Sequence, residues 1–236
     1  ADDTVCPDWL DVLAKEAETS GADIVVSGLN KTNKDGKIIG KTSPEHDETL
    51  SAAEIFHGFH TYQGNGGLLG FCVGKLFRRS LCSGIRFTPG LKLAEDLDFF
   101  VRLYDKAETV RTVRYAGYNY LQGAENSTGG SNAYRVDYLS QVKIWLGIVS
   151  ILTAHGEYCG ENRAFADEKL GGYISCAMLY RSDVNRTSAS EMRRLCGDIR
   201  AVGNGALRPA AWLYNIRLGG LCRLYAWLYR KFGGAK

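Results

Sequence analysis

Residues 22–29 read Ala-Asp-Ile-Val-Val-Ser-Gly-Leu, a stretch whose centre is apolar and β-branched. A short, nearly continuous apolar run of this kind is typical of a strand that is covered on both faces of its sheet. Residues 7–20 carry the signals of a helix, because Pro7 suits a first turn, an apolar stripe follows, and Gly21 can close the last turn. The chain is therefore predicted to open with a helix that leads into a buried strand.

The next segments continue this pattern. Asp35-Gly36 marks a hairpin turn after the buried strand. Ser51 is followed three residues later by Glu54, which is the spacing of a capping box, and a short helix is predicted from there to about His60. Helices and strands thus alternate through the first part of the chain.

Further elements are predicted up to about residue 121. Residues 85–87 are a short strand candidate, and residues 95–106 form a strongly patterned helix. Two strands are predicted at 110–115 and 118–121, separated by Gly117.

Strand signals end after residue 121, and the remaining chain reads as helical. The sequence therefore predicts an α/β domain over 1–130 and a helical region over 131–236. The predicted helical segments are 134–155, 163–181, 188–202 and 209–232.

Composition excludes several classes of protein. Of 236 residues, 45% are hydrophobic and 23% charged, as in ordinary globular proteins. The seven cysteines include no Cys-x-x-Cys pair and lie singly in apolar stretches, so neither a disulfide scaffold nor a zinc module is expected. No run reaches the ~20 apolar residues that span a bilayer, and no leader opens the chain. A cytoplasmic location is predicted.

The charge is unevenly distributed. Residues 193–236 hold nine Lys or Arg and one acid, whereas residues 1–192 hold 20 bases and 25 acids. Within this basic end, residues 209–236 interleave Trp and Tyr with Arg and Lys, which suits the surface of an anionic membrane, here the inner face of the cell membrane. A helix docked on the protein or on a second subunit is the alternative. Nucleic acid is not expected as a partner, since no recognition motif accompanies the tail.

Asp96 is the most informative acid in the sequence. On a helical wheel it lies within the apolar arc that contains Phe100 and Leu97, whereas Glu95 and Asp98 lie in the opposite, polar sector. A carboxylate on the core side of a helix is costly unless it is hydrogen-bonded or lines a cleft. Asp96 is therefore either a satisfied structural acid or a site residue.

Asp2 and Asp3 form a second acidic pair, just before the first predicted helix. Adjacent carboxylates suit a hard divalent cation, which often shares its oxygen ligands with phosphates. Acids ahead of a helix are also common as caps or solvated ends. Lys75 follows a glycine-rich loop at 64–70 and can either approach phosphates or acceptor, or be an ordinary surface lysine whose stem packs on apolar groups.

Five motifs occur in the order found in family 2 glycosyltransferases, and together they resemble the bacterial polysaccharide branch of that family. The resemblance covers about residues 1–130. The motifs are Ala1-Asp2-Asp3 with Pro7-Asp8 and Leu10; Ala22-Asp23-Ile24-Val25; Lys75-Leu76-Phe77-Arg78-Arg79-Ser80-Leu81 with Gly84-Ile85-Arg86-Phe87; Glu95-Asp96-Leu97-Asp98-Phe99; and Tyr118-Asn119-Tyr120 with Asn126-Ser127.

The resemblance implies a GT-A-like, Rossmann-like fold, a nucleotide-diphosphate sugar donor, a divalent metal (Mg or Mn), and transfer with inversion. Asp96 matches the general base, which takes the proton of the acceptor hydroxyl. Asp2 matches the last acid of an Asp-x-Asp motif that holds the metal on the donor diphosphate. Glu95 and Asp3 match acids that flank the site.

The resemblance also implies that the first acid of Asp-x-Asp and the nucleotide-binding units precede Ala1. The chain is then the C-terminal part of a catalytic domain, with the acceptor side and the base. The expected function is sugar transfer to a polysaccharide or lipid-linked acceptor in surface polysaccharide synthesis. The alternative is a non-catalytic, membrane-associated binding module left after loss of the donor half.

Overall fold

The computed structural model describes residues 2–91, 93–122, 137–180 and 189–202, together with Leu224, Trp227 and Leu228. The chain divides into two compact units, residues 1–135 and residues 136–236. The first is a mixed α/β unit, and the described part of the second is helical. The predicted α/β fold class is confirmed.

The α/β unit contains a six-stranded mixed sheet around two long neighbouring strands, β2 (Ile24–Thr32) and β6 (Thr109–Leu121). Strand β2 pairs in parallel with β6 and antiparallel with β3 and β5, and β6 also pairs antiparallel with β1 and β4. The strands are β1 (Thr4–Val5), β2 (Ile24–Thr32), β3 (Ile38–Thr42), β4 (Glu48–Ser51), β5 (Lys75–Phe77) and β6 (Thr109–Leu121). The helices of this unit are α1 (Trp9–Ser20), α2 (Ala52–His57), α3 (Phe59–Gly64) and α4 (Glu95–Tyr104), with a 3₁₀ turn at Arg79–Cys82.

The buried strand predicted at 22–29 is β2, which runs instead over Ile24–Thr32; all of its residues except Lys31 are buried, and it pairs with neighbours along both edges. Helix α1 packs against the sheet, where Leu13, Val25 and Val113 form a fully enclosed apolar cluster. Burial of aliphatic side chains of this size stabilises the fold by about 1.5–3 kcal/mol each. This cluster holds the first helix and the two parallel strands together.

The capping box is present as predicted. Ser51 accepts a hydrogen bond from the Glu54 backbone, and the Glu54 carboxylate accepts one from the Ser51 backbone at 2.7 Å. The single helix predicted to about His60 is instead two short helices, α2 and α3, divided at Gly58. A Cβ on Gly58 would meet the Tyr62 ring at 2.9 Å, so the glycine permits this close approach.

The strand predicted at 85–87 is wrong, because this segment is irregular and its groups bind α4 instead. The Phe87 ring stacks on Phe99 with centroids 4.4 Å apart, and the Arg102 guanidinium donates to the Arg86 carbonyl at 2.9 Å. The strand that the pattern missed in this region is β5, which adds to β2.

The two strands predicted on either side of Gly117 are one strand, β6, although its pairing with β2 shifts register between Val113 and Tyr118. A Cβ on Gly117 would lie 2.5 Å from the Tyr115 ring and 2.7 Å from Trp9. Glycine here allows an aromatic side chain to lie against the backbone, and the Gly117 carbonyl accepts a hydrogen bond from Cys6. The residue therefore serves packing rather than chain reversal.

The second unit contains α5 (Tyr138–Ala154), α6 (Gly160–Tyr180) and α7 (Ala189–Ala201). Asp137 caps α5 by accepting a hydrogen bond from the Ser140 backbone at 3.0 Å. The helix predicted at 209–232 lies outside the described residues, apart from three helical positions. Among the helices that the structure describes, none is long and apolar enough to cross a membrane.

Candidate functional site

The wheel predicted Asp96 within the apolar arc of α4, and the structure leaves it less buried than Leu97, Phe99 and Phe100 on the same helix. The Asp96 side chain is half-buried, whereas Glu95 beside it is exposed. The Leu97 backbone donates to Asp96 Oδ1 at 2.8 Å, and no side chain of the described residues hydrogen-bonds to this carboxyl. Burial raises the pKa of Asp96 above its ordinary value, and the neighbouring Glu95 charge raises it further. A carboxylate that is partly desolvated and open to a ligand is suited to accept a proton.

Asp98 lies two residues further along α4 and has a structural role. Its carboxylate pairs with Arg102 at 2.6 Å and accepts a hydrogen bond from the Thr88 hydroxyl at 2.7 Å. Because Arg102 also binds the Arg86 carbonyl, this network fastens the preceding loop to the helix. The two aspartates of the motif therefore differ: among the described residues, Asp98 binds two side chains, whereas Asp96 binds none.

The residue before α4 is strained. Ala94 is the one non-glycine residue with a positive φ (60°) among the described residues, and it immediately precedes Glu95 and Asp96. A left-handed conformation costs a non-glycine residue roughly 1–3 kcal/mol and is often found at functional sites. The strained junction sets the direction from which the first turn of α4 starts.

Lys75 is buried, so the alternative that it is a surface lysine is wrong. Only 7% of the residue is exposed, although it begins strand β5. Its ammonium donates to the Phe71 carbonyl and lies 5.0 Å from the centroid of the Phe100 ring. Burial lowers the pKa of Lys75 to about 7, while Cys72 and Asp96 oppose this shift. Lys75 and Asp96 are therefore electrostatic neighbours.

Asp3, of the acidic pair at the start of the chain, lies at the C-terminal end of β6. Strand β1 pairs Thr4 with Asn119, which brings Asp3 to the last residues of β6. Asp3 accepts hydrogen bonds from the Tyr118 hydroxyl and the Leu121 backbone, both at 2.9 Å. Asp2 is exposed.

These acids do not by themselves complete a divalent metal site. Both oxygens of Asp3 already accept hydrogen bonds, which leaves Asp2 as the open carboxylate of the pair. No group of three or more potential ligands occurs within the part of the chain that the structure describes. A hard cation takes about six oxygen ligands, so one open carboxylate does not fit it alone.

Tyr120 connects the two acidic positions. Its ring contacts Phe71 with centroids 6.3 Å apart. Burial raises the pKa of Tyr120, and the charges of Asp3, Asp2 and Asp96 raise it further. The structure thus brings the predicted residues Asp2, Asp3, Lys75 and Asp96 into one electrostatic neighbourhood.

Tyr118, Tyr120 and Phe71 were not predicted as site residues. Tyr118-Asn119-Tyr120 belongs to the last of the five glycosyltransferase-like motifs, but nothing in the spacing of that motif indicated which of its side chains would lie near the acidic residues. The signal that could have found them is alternation, because Tyr118 and Tyr120 are two residues apart and share a face of the strand. Phe71 precedes Lys75 by four residues in an irregular loop, for which no periodicity applies.

Comparison with known proteins defines the fold. No profile of a protein family and no curated protein matches this chain. Among solved structures, S. aureus TarS 1–349 in complex with UDP-GlcNAc has 15% identity and a TM-score of 0.54, covering 98% of this chain and 66% of that one. A second structure of TarS 1–349 has 15% identity and a TM-score of 0.52, covering 98% of this chain and 64% of that one. A further structure, of S. aureus TarS, has 14% identity and a TM-score of 0.51, covering 97% of this chain and 39% of that one.

TarS is a GT-A-like glycosyltransferase, and this chain shares its fold. At 14–15% identity the likeness is one of fold. The chain spans no more than about two thirds of the length of the TarS structures that it matches.

Proposed function

We propose that this chain carries the acceptor side and the catalytic base of an inverting glycosyltransferase of the family 2 type. The observation that carries the proposal is Asp96, a half-buried carboxylate beside a buried lysine at the start of α4. The GT-A-like fold supports it, because the motif resemblance and the fold comparison point to the same class of enzyme.

In this proposal Asp96 accepts the proton of an acceptor hydroxyl while that oxygen attacks the anomeric carbon of the donor sugar. The bond from the anomeric carbon to the diphosphate oxygen breaks, and attack from the opposite face inverts the configuration. The raised pKa of Asp96 favours proton transfer near neutral pH. Glu95 and Asp3 would line the site, Glu95 as an exposed acid and Asp3 through the hydrogen bond that fixes Tyr118.

The donor in this proposal is a nucleotide-diphosphate sugar. The TarS structure in complex with UDP-GlcNAc supports this class of ligand and makes UDP-GlcNAc the first donor to test. We place the donor-binding half in sequence that precedes Ala1, in line with the partial coverage of TarS. Asp2 would bind Mg²⁺ or Mn²⁺ only together with ligands from that half and from the diphosphate, because it is one carboxylate.

The acceptor in this proposal is a polysaccharide or a lipid-linked saccharide, used in surface polysaccharide synthesis. Membrane association through residues 209–236 would bring the enzyme to such an acceptor. Leu224, Trp227 and Leu228 support this, since they are 52%, 51% and 41% exposed and follow the i, i+3, i+4 spacing of one helical face. An apolar face in a basic tail is suited to an anionic membrane surface.

The test is release of nucleoside diphosphate by the full-length protein, with UDP-GlcNAc, UDP-glucose and UDP-galactose as donor probes and aryl glycosides as acceptor probes. We expect acceptor-stimulated release with at least one donor. Calorimetry on residues 1–236 alone should detect little metal-dependent binding of the same donors.

The alternative is a non-catalytic, membrane-associated binding module. The basic end of the chain supports it, as nine bases against one acid follow residue 192. It predicts vesicle binding without release of nucleoside diphosphate from any donor. Micromolar donor binding by residues 1–236 would contradict both the proposal and the alternative, because each leaves the donor site outside these residues.

A further inference from the structure

Lys75 is a buried cation with few partners. Its ammonium is bound to the Phe71 carbonyl and faces the Phe100 ring at 5.0 Å. The bond to Phe71 joins β5 to the loop at 65–74, which precedes this strand, and the contact with the Phe100 ring joins β5 to α4. One side chain therefore connects three segments around the candidate site.

The ammonium contacts α4 at Phe100, one helical turn after Asp96. Phe100 follows Asp96 by four residues, so the two occupy neighbouring positions on one face of α4. The other titratable groups around this point are Cys72 on the loop, Glu95 on α4, and Tyr118 and Tyr120 on β6. Lys75 is the cation that acts on both Cys72 and Asp96, since its charge lowers the pKa of each.

Stability alone does not account for a lysine at this position. A buried ammonium loses its hydration, and one carbonyl and one aromatic face replace only part of it. Replacing a buried charge by an apolar side chain of similar volume is often neutral or stabilising. A methionine would fill the same space without a charge. The lysine therefore differs from it in the electrostatic effect on neighbouring groups.

We propose that Lys75 is a positioning residue for the base: it anchors the loop at Phe71 against α4, and in its protonated form it supplies a positive charge that favours the ionised form of Asp96. In this role it does not contact substrate. The kinetic part of the inference rests on the proposed function, whereas the electrostatic part does not.

The electrostatic part is tested on residues 1–236 by the rate at which iodoacetamide alkylates Cys72, measured by mass spectrometry between pH 5.5 and 8.5. Only the thiolate reacts, so the rate reports the charges around it. In the wild-type protein the rate should rise less than tenfold per pH unit near pH 7, where Lys75 loses its proton. In Lys75→Met that inflection should be absent, and alkylation at pH 6 should be about threefold slower or more, because the cation is lost.

Two further variants complete this experiment. Asp96→Asn should accelerate Cys72 alkylation, because the carboxylate raises the pKa of that thiol. Lys106→Met is the matched control, since Lys106 also donates to a loop carbonyl, Ser83, at 3.1 Å, but is exposed. Its Cys72 profile should equal that of the wild type.

The kinetic part is tested in the full-length protein. Lys75→Met should lower kcat by about 10- to 100-fold, as expected when a reacting group is misplaced, and leave the KM for the donor within about twofold. The acid limb of kcat/KM should move to higher pH, because Asp96 loses the charge that lowers its pKa. A purely structural lysine would leave that limb in place.

The outcomes are decisive in each case. An unchanged Cys72 profile in Lys75→Met overturns the inference, whether or not the protein is a glycosyltransferase. A Lys75→Met variant that fails to fold also overturns it, since the lysine would then be needed for stability. An altered Cys72 profile without any donor turnover in the wild-type protein supports the electrostatic part and contradicts the proposed function.

Discussion

At the scale of single residues, two tyrosines on β6 use their hydroxyls differently. The Tyr118 hydroxyl donates to Asp3 at 2.9 Å. The Tyr120 hydroxyl makes no hydrogen bond to any residue that the structure describes, although the charges of Asp2, Asp3 and Asp96 act on it. Tyr118 therefore holds an acid in place, whereas Tyr120 has a hydroxyl available to a ligand.

This difference predicts the stability of two matched variants. Tyr118→Phe should lower the free energy of unfolding of residues 1–236 by about 1 kcal/mol, because it removes a hydrogen bond to a carboxylate. Tyr120→Phe should change it by less than about 0.5 kcal/mol, because it removes no hydrogen bond to any described residue. Urea unfolding of both variants is the measurement, and a larger loss in Tyr120→Phe would contradict the assignment.

Helical periodicity alone predicted that Asp96 lies on the apolar side of α4, and its side chain is half-buried. Asp98, which the wheel placed on the polar side, is half-buried as well, because it pairs with Arg102. The same argument correctly placed Glu95 on the polar side. Lys75 was harder to predict, since one lysine at the start of a three-residue strand has no periodic context. Its burial depends on Phe71 and Phe100, which tertiary structure brings to it.

At the scale of elements, β5 and α4 together place a charge in the interior, and this makes stability depend on pH. Burial lowers the pKa of Lys75 to about 7, from an ordinary value of 10.5. Between these values the unfolded chain binds a proton that the folded chain does not, so stability rises with pH across this window. Below pH 7 the penalty of burying the charge is present in full.

The wild-type protein should therefore gain stability relative to Lys75→Met as the pH rises from 7 to 9, by up to about 1.4 kcal/mol per pH unit. Urea unfolding of the two proteins at pH 7, 8 and 9 measures this. Equal changes in both would contradict the burial of a charged ammonium.

Helix α4 also contains a polar atom without a partner. The Tyr104 hydroxyl is buried and has no hydrogen-bond partner among the described residues. Removing it relieves the cost of desolvation, so Tyr104→Phe should raise the free energy of unfolding by about 1 kcal/mol. A calorimetric melt tests this, and a clear loss of stability would mean that the hydroxyl is satisfied.

Elements with strong local signals were predicted, and those that depend on partners were not. The capping box and the buried strand follow from a few adjacent residues, and both are present. The errors at 85–87 and Gly117 arise because distant aromatic and arginine side chains decide how those segments pair. The short strands β1 and β4 were missed for the same reason, as each exists only through its pairing with β6.

At the scale of the whole molecule, the exposed apolar positions of the tail are the feature to test for membrane binding. Residues 1–236 should sediment with vesicles that contain phosphatidylserine more than with neutral vesicles, and salt should weaken the association. The double variant Trp227→Ser and Leu228→Ser should reduce partitioning about tenfold or more, because two apolar anchors are lost. Ile39→Ser is the control, since Ile39 is 55% exposed in the α/β unit.

A tail that serves as a docked structural helix would behave differently. The double serine variant would then lose stability, and the intact protein would show no preference for acidic lipid. That result would remove the membrane from the proposed function while leaving the candidate site unaffected.

If Asp96 is the catalytic base of a glycosyltransferase, as we propose, turnover by the full-length protein depends on its carboxylate. In Asp96→Asn, kcat should fall by about 10²- to 10⁴-fold, the range for a general base, with the fold and the donor KM preserved. Asp98→Asn makes the same substitution on the same helix at the Arg102 pair and should keep kcat within about threefold. Near-normal turnover in Asp96→Asn, or an equal loss in both variants, would show that Asp96 is not the base.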